Sequence, residues 1–376
     1  MAYPDPTQPI IINISVSATA QADTRLRTFA VVSVGDTSLS AGETKFVSAS
    51  DFNQTVTNTS STTFKFLTTF FNQENNQNKQ CLIVELTSAG TAQSQIQTLQ
   101  NYLGEGLNLA YGYYLPQKLW ADSNITNFLS NYNGVSDSFY FFFDMENKLP
   151  SSSTIWTTNI NGAKCVFGTF PNASSASVIP SAVVMGIMSS TSYDISSSNP
   201  MSDLNRKLCS GVSAVAPTSN MKNGIVQAPA SFFNNRGSST YLMGGRMADG
   251  TPWTTRYAWD NTISRVNSVV ETAFINSSNI SGTAMTFDNH GIATLAQIII
   301  NELNNCVSLG YLSAFGKGKD PVSGAIINQG AIDAVDVATW EAQNPTEYAN
   351  GVYGGFSAYL KVGTFIQQVV FNVTMG

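Results

Sequence analysis

The sequence contains one histidine, His290, in the run Asp288-Asn-His-Gly291. Any Ser-His-Asp or Cys-His catalysis would have to use that imidazole as its base. No Gly-x-Ser-x-Gly elbow supplies a matching nucleophile. A hydrolase built on His290 and Asp288 is therefore the weaker reading, and a residue at the start of a helix is the stronger one. Cys81, Cys165, Cys209 and Cys306 lie far apart, without a Cys-x-x-Cys pair or a nearby histidine, so their spacing does not suit zinc. Cys81 opens an apolar run and Cys306 sits in an apolar helix-like stretch, so both read as small core residues. Asp333 and Asp336 are close enough to share a cation but lack a third acid, and Asp336 reads as a helix cap. Glu341 and Glu347 would form an acid/base pair only if a cleft held them. Between Gly310 and Lys317 five residues separate the glycines instead of four. Gly318 also occupies the place of a magnesium-binding Ser or Thr, so this is a flexible basic loop and not a phosphate loop. The expectation is a chain that is not an enzyme and that carries no cofactor or metal.

The elements that would position such groups follow from apolar periodicity. Ile10, Ile12, Ile14, Val16 and Ala18 alternate on one face of a strand, after a lead in which Pro4, Pro6 and Pro9 forbid helix. Strands are expected at 27–34, 46–48 and 81–86, with Ser50 and Asp51 capping a helical turn through Phe52. An amphipathic helix is expected at 60–71, with Phe64, Leu67, Phe70 and Phe71 on one face. Helices at 94–103, 123–132 and 155–160 alternate with strands at 107–115, 138–143 and 165–170. That alternation predicts an α/β layer with a partly parallel sheet. Residues 171–240 are rich in Ser, Pro and Asn and less regular, with an apolar helix at 181–188 and a strand at 241–246. Two long helices follow at 255–274 and 292–312, then a loop at 316–321. Two alternating strands close the sequence, at 356–362 and 365–373. In the last of these Phe365, Val369, Phe371 and Val373 face one way.

Composition narrows the function. Charged residues make up 11% of the 376 residues, against about 25% in an average soluble protein, while apolar residues reach 43%. Disorder needs high charge and low hydrophobicity, and nucleic-acid binding needs a basic footprint. A net charge of -6 offers neither. No apolar run approaches a bilayer span, and the opening Met-Ala-Tyr-Pro-Asp-Pro is not a signal peptide, so a chain made in a cytoplasm is expected. Low charge fits either a surface covered by other subunits or a Ser/Thr/Asn-rich β surface, as in a secreted adhesin.

The two ends carry the assembly expectation. About 20 extended residues span about 65 Å, while a globule of this length has a radius of gyration of about 21 Å. A released arm therefore reaches a neighbouring subunit, where it adds to an open sheet edge. The alternative is that both strands close their own sheet.

The order of landmarks resembles the contractile tail sheath proteins of myovirus-type phages, and most closely a short sheath group formerly a domain of unknown function. Ser48-Ala-Ser-Asp-Phe52, Phe70-Phe71-Asn72 and the strand at 81–86 resemble the family's early motif, with Asn72-Gln73 where Gly-Gly usually follows the aromatic pair. Tyr241-Leu-Met-Gly-Gly-Arg-Met247, then 253–258 and the helix through Glu271-Thr-Ala-Phe274, is similar to the sheath passage around its Gly-x-Arg strand. Residues 331–351 and the closing strands resemble the C-terminal end. The resemblance implies a mixed α/β and α+β fold in four parts: an N-terminal arm at 1–20, an outer α/β sheath domain at 21–250, an inner tube-facing domain at 251–355 and a C-terminal arm at 356–376. It implies an inner sheet completed by arms of neighbouring subunits, through Ile10, Ile12, Ile14 and Val16 at one end and Phe365, Val369, Phe371 and Val373 at the other. Asp336, Trp340, Glu341 and Glu347 become candidate tube contacts. The implied partners are copies of the chain in hexameric rings, a tail tube protein, and baseplate and tail terminator proteins, without direct contact to nucleic acid or insertion into a membrane. The implied location is the virion, assembled in a host bacterial cytoplasm.

Overall fold

The computed structural model describes residues 10–16, 24–74, 76, 79–104, 109–133, 139–146, 160, 162–191, 204–279 and 285–363, with side chains from Leu26 onward. Along the chain, β1 is Ile10–Val16. A 3-10 turn at Thr24–Arg27 leads into β2, Phe29–Val34, and β3, Thr44–Ser48. The short α1, Phe52–Thr55, is followed by α2, Thr62–Phe71, and β4, Gln80–Leu86. Next come α3, Ala92–Gly104, β5, Gly112–Tyr114, α4, Gln117–Trp120, and α5, Ile125–Ser130. Strands β6, Tyr140–Asp144, and β7, Val166–Thr169, precede α6, Pro180–Ser190. Then follow α7, Ser219–Gln227, and the hairpin of β8, Phe232–Arg236, with β9, Ser239–Met243.

The second half holds α8, Trp253–Asn279, and α9, Asn289–Ser308. It continues through β10, Leu312–Lys319, β11, Ile326–Gln329, and β12, Asp333–Ala334. The last described elements are α10, Val337–Gln343, α11, Pro345–Ala349, and β13, Tyr353–Val362.

Six strands form one mixed sheet in the order β3-β4-β2-β5-β6-β7, parallel throughout except for β3 at the edge. Successive residues of a strand point to opposite faces, and both faces of this sheet are covered. Val31, Cys81, Ile83, Tyr140 and Phe142 pack under α2 and α6, whereas Ala30, Val32, Leu82, Val84, Phe141 and Phe143 pack against α3, α4 and α5. The fold is the expected mixed α/β class. A second sheet, antiparallel, runs β1-β13-β10-β11, with β12 also on β13. The core under α2 and α6 continues without a break into α8, α9 and this second sheet.

Helix α8 makes that connection. Trp253 is fully buried at its first turn, among the rings of Tyr140 at 4.9 Å, Tyr111 at 5.5 Å, Phe142 at 5.6 Å and Phe167 at 6.2 Å. Two turns later Asp260 accepts hydrogen bonds from the hydroxyls of Tyr111 at 2.5 Å and Tyr140 at 2.7 Å. Midway along α8, Arg265 pairs with Glu302 of α9. In α9 the stripe Ile292, Leu295, Ile299, Leu303 and Cys306 is buried, the spacing of a one-sided amphipathic helix.

Several expected boundaries move. The helix expected to run through Leu312 ends at Ser308, and Leu312 starts β10. The expected loop at 316–321 is strand as far as Lys319, because Gly316 lets β11 approach closely. A side chain there would meet the Ile327 carbonyl oxygen 2.5 Å from its Cβ. The strand expected at 107–115 narrows to β5. Asp51 precedes α1 but turns its carboxylate back to the Ser48 amide at 2.6 Å and hydroxyl at 2.8 Å, so it does not cap the helix by its side chain. Helices α4 and α7 and strands β8, β11 and β12 add to the expected elements. The helix expected at 155–160, apart from Ile160, and the closing strand at 365–373 lie outside the described residues.

Candidate functional site

The chemistry-bearing residues come first. His290 is the second residue of α9 and is exposed. Asp288 is the cap of that helix and accepts from the Gly291 amide at 2.8 Å and the Thr286 hydroxyl at 2.8 Å. Those two bonds hold its carboxyl below its ordinary range. Its acceptor oxygens therefore serve the helix start. Asp336 caps α10 as expected, accepting from Thr339 Oγ1 at 2.7 Å and the Thr339 amide at 3.0 Å. Asp333 instead faces Lys317 at 3.8 Å, both exposed, so the two aspartates do not share a ligand. All four cysteines are buried and free. Burial pushes the Cys165 and Cys209 thiols up to about 12 and Cys306 to about 11, which keeps them protonated and unreactive.

In a doubly wound sheet the ligand crevice lies at the carboxyl ends of the strands. Here structural hydrogen bonds fill that edge. The buried Glu85 accepts from the Gly35 amide at 2.5 Å and the Thr37 hydroxyl at 2.6 Å. Lys118 donates to the Val34 carbonyl at 2.8 Å. Asp144, at the end of β6, accepts from the Ser181 amide at 2.7 Å and so satisfies the first turn of α6, and it also receives the Tyr114 hydroxyl at 3.1 Å. Burial raises its carboxyl to about 6 against the pull of those bonds. Among the described residues no group of three or more His, Cys, Asp or Glu side chains is placed to hold a metal ion, and no helix is long and apolar enough to cross a membrane.

The terminal sheet is the better candidate. Strand β13 alternates, with Phe356, Ala358, Leu360 and Val362 buried and Ser357, Tyr359 and Lys361 turned outward. Strand β1 lies antiparallel to it, with Ile10, Ile12 and Ile14 opposite Leu360, Ala358 and Phe356, and an irregularity before Val16 opposite Tyr353. Three of the arm's four isoleucines are thus registered on buried residues of the receiving strand. In the single chain β1 closes its own sheet as the terminal strand of the path. Phe365, Val369, Phe371 and Val373 lie outside the described residues.

The other candidates sit beside this sheet. Trp340 is half-buried, donates its indole N–H to the Val352 carbonyl at 3.0 Å and packs against Tyr353 at 5.3 Å. Glu341 on α10 and Glu347 on α11 are exposed, as is Asp336. The receiving face of Phe356, Ala358 and Leu360 was legible as a strand, but only the register gives it its role.

The architecture matches solved structures. A chain of the anti-feeding prophage baseplate in its contracted state superposes with a TM-score of 0.60 at 10% identity, over 97% of this chain and 97% of that one. The sheath tail protein of Desulfitobacterium hafniense superposes with a TM-score of 0.52 at 7% identity, over 82% of this chain and 90% of that one. This chain has a tail-sheath fold. No protein-family model and no curated protein sequence matches it. At such low identity the likeness resides in the arrangement of the two sheets and their helices, the level at which the terminal strands are placed.

Proposed function

We propose that the protein is a structural subunit of a contractile tail sheath. In this reading copies stack as hexameric rings around a tail tube, joined to baseplate and terminator proteins, within a particle assembled in the cytoplasm of a host bacterium. The sleeve contracts without nucleotide and drives the tube through the host envelope. Residues 21–250 form the outer domain and 251–355 the layer facing the tube, where Asp336, Trp340, Glu341 and Glu347 are the candidate contacts. The role is mechanical and not enzymatic.

One observation carries the reading: an N-terminal strand whose isoleucines register on the buried face of β13, at the edge of a sheet built from the last described strands. Backbone pairing does not distinguish a strand of the same chain from the identical strand of a neighbour. An arm exchanged in this way links subunits without any new contact having to evolve. A strand of this length makes roughly four to six backbone bonds worth about 0.5–1.5 kcal/mol net each. Three or four buried aliphatic side chains add at most about 1.5–3 kcal/mol apiece. Such a link holds while the bodies it joins rotate. The sheath fold of the solved structures and the low surface charge support the same reading.

Electron microscopy of negatively stained, purified full-length protein tests it. Hollow tubes or stacked rings are expected at high protein concentration. A uniform field of monomers across salt and concentration series would contradict the proposal.

A further inference from the structure

A separate feature lies where α6 enters the core, away from the terminal sheet. Ten of the eleven residues of α6 are buried, so its first turn cannot draw on water for unpaired amides. Its cap position is Ile179, which has no side-chain acceptor, and Pro180 has no N–H to satisfy. The Ser181 amide is the first that needs a partner, and Asp144 supplies it at 2.7 Å from the end of β6. The other oxygen of Asp144 receives the Tyr114 hydroxyl at 3.1 Å. Thr169 stands opposite Asp144 across β6 and β7, and the two share the face of the sheet that carries Phe142 and Phe167. Tyr114, Thr169 and Ser181 are all buried, and the hydroxyls of Thr169 and Ser181 have no hydrogen-bond partner.

What this carboxylate lacks is a cation. From β5 it meets Tyr114, whose ring Phe66 of α2 covers, while β7 and α6 bring no ionisable group. Among the described residues neither a lysine or arginine nor Glu146, the next acid along the chain, acts on its charge. Burial, together with the charge of Asp144, pushes the Tyr114 phenol well above its ordinary range, so that hydroxyl stays a donor. The ionised form thus leaves a charge in a low-dielectric site beside two hydroxyls that it does not engage. The neutral form removes that charge. One oxygen still accepts the Ser181 amide, and the acquired O–H is a donor for the lone pairs of the Thr169 or Ser181 hydroxyl.

We propose that Asp144 is a pH-sensitive seat for α6, holding the helix on the mixed sheet more firmly when protonated than when ionised. A carboxyl raised to about 6 in the folded chain, against about 4 in the unfolded one, adds stability that is complete below about pH 4 and is lost as pH rises through 6. Asp288, Asp320 and Asp336, held below the ordinary range by helix and turn bonds, give up their contributions only at lower pH. Thermal melting of the full-length protein between pH 5 and pH 7.5 tests this. The melting temperature should rise on acidification, reflecting a roughly tenfold gain in the folding equilibrium across that window. Asp144→Asn keeps an oxygen for the Ser181 amide and never ionises. It should melt above the parent at pH 7.5 and give a flat profile down to pH 5. Matching profiles for parent and variant would overturn the assignment. Should Asp144→Asn fail to fold, the parent protein labelled with 13C-aspartate keeps the test open. One side-chain resonance should titrate near pH 6, and the lack of any aspartate titrating above about pH 5 would equally overturn it.

Discussion

A chain lacking residues 1–18 should remain folded and soluble yet fail to form tubes under conditions in which the full-length protein forms them. The physical basis is the pairing of β1 with β13. Removing the arm strips one edge of β13 of its backbone partners and uncovers the edge beside Phe356, Ala358 and Leu360. Water can satisfy the freed backbone groups, so the rest of the molecule survives. Its large core runs from the mixed sheet through α8 and α9, well beyond the strand that β1 pairs with. Assembly has no such substitute, because in the proposed sleeve the arm is the tie between copies. Size-exclusion chromatography and electron microscopy measure the outcome as presence or absence of polymer. Tubes formed by the truncated protein would remove the arm from the linkage.

The second large effect is expected inside a subunit. Trp253→Ala should destabilise the fold by about 3–5 kcal/mol, the usual result of deleting a large buried aromatic side chain. Four aromatic rings surround Trp253, and it anchors the first turn of α8 to the mixed sheet. Among the described residues its indole N–H has no hydrogen-bond acceptor. Trp253→Phe therefore removes a buried unsatisfied donor along with volume, and should cost clearly less than the alanine substitution. Thermal melting of the three proteins checks both statements. A melting temperature for Trp253→Ala within a degree of the parent would refute the anchoring role.

Much of this architecture is legible in the sequence where one local pattern decides the outcome. Helix α9 declares itself by Leu295, Ile299 and Leu303, and β4 by an unbroken apolar run starting at Cys81. The cap of α10 is readable because Asp336 acts three residues away on Thr339. Elements decided by distant partners are not readable. The run Gly316-Lys-Gly-Lys319 has the composition of a loop and becomes strand because β11 and β13 flank it, and the close approach of β11 needs the glycines. Strand β8 hides in a Ser- and Asn-rich region, although Gly237 at φ +60° marks its hairpin turn. Asp144 satisfies a helix that begins 36 residues later, so its role leaves no local trace. The arm strand was legible as an alternating apolar segment, and its partner strand was legible separately. Their mutual register is a tertiary fact.

That register also permits the most direct test. Asn13 and Ser357 stand opposite each other across β1 and β13, at the Cα separation of an antiparallel pair, which a disulfide spans. The native cysteines are all buried, so Asn13→Cys with Ser357→Cys introduces one accessible pair. The doubly substituted protein is assembled first, oxidised as polymer and run on a denaturing gel without reductant. A ladder of covalent multimers is predicted, because each arm is bonded to the β13 of another copy. A single band at monomer mass with the thiols fully oxidised would mean that every arm stays on its own subunit, contradicting the exchange on which the sheath assignment rests.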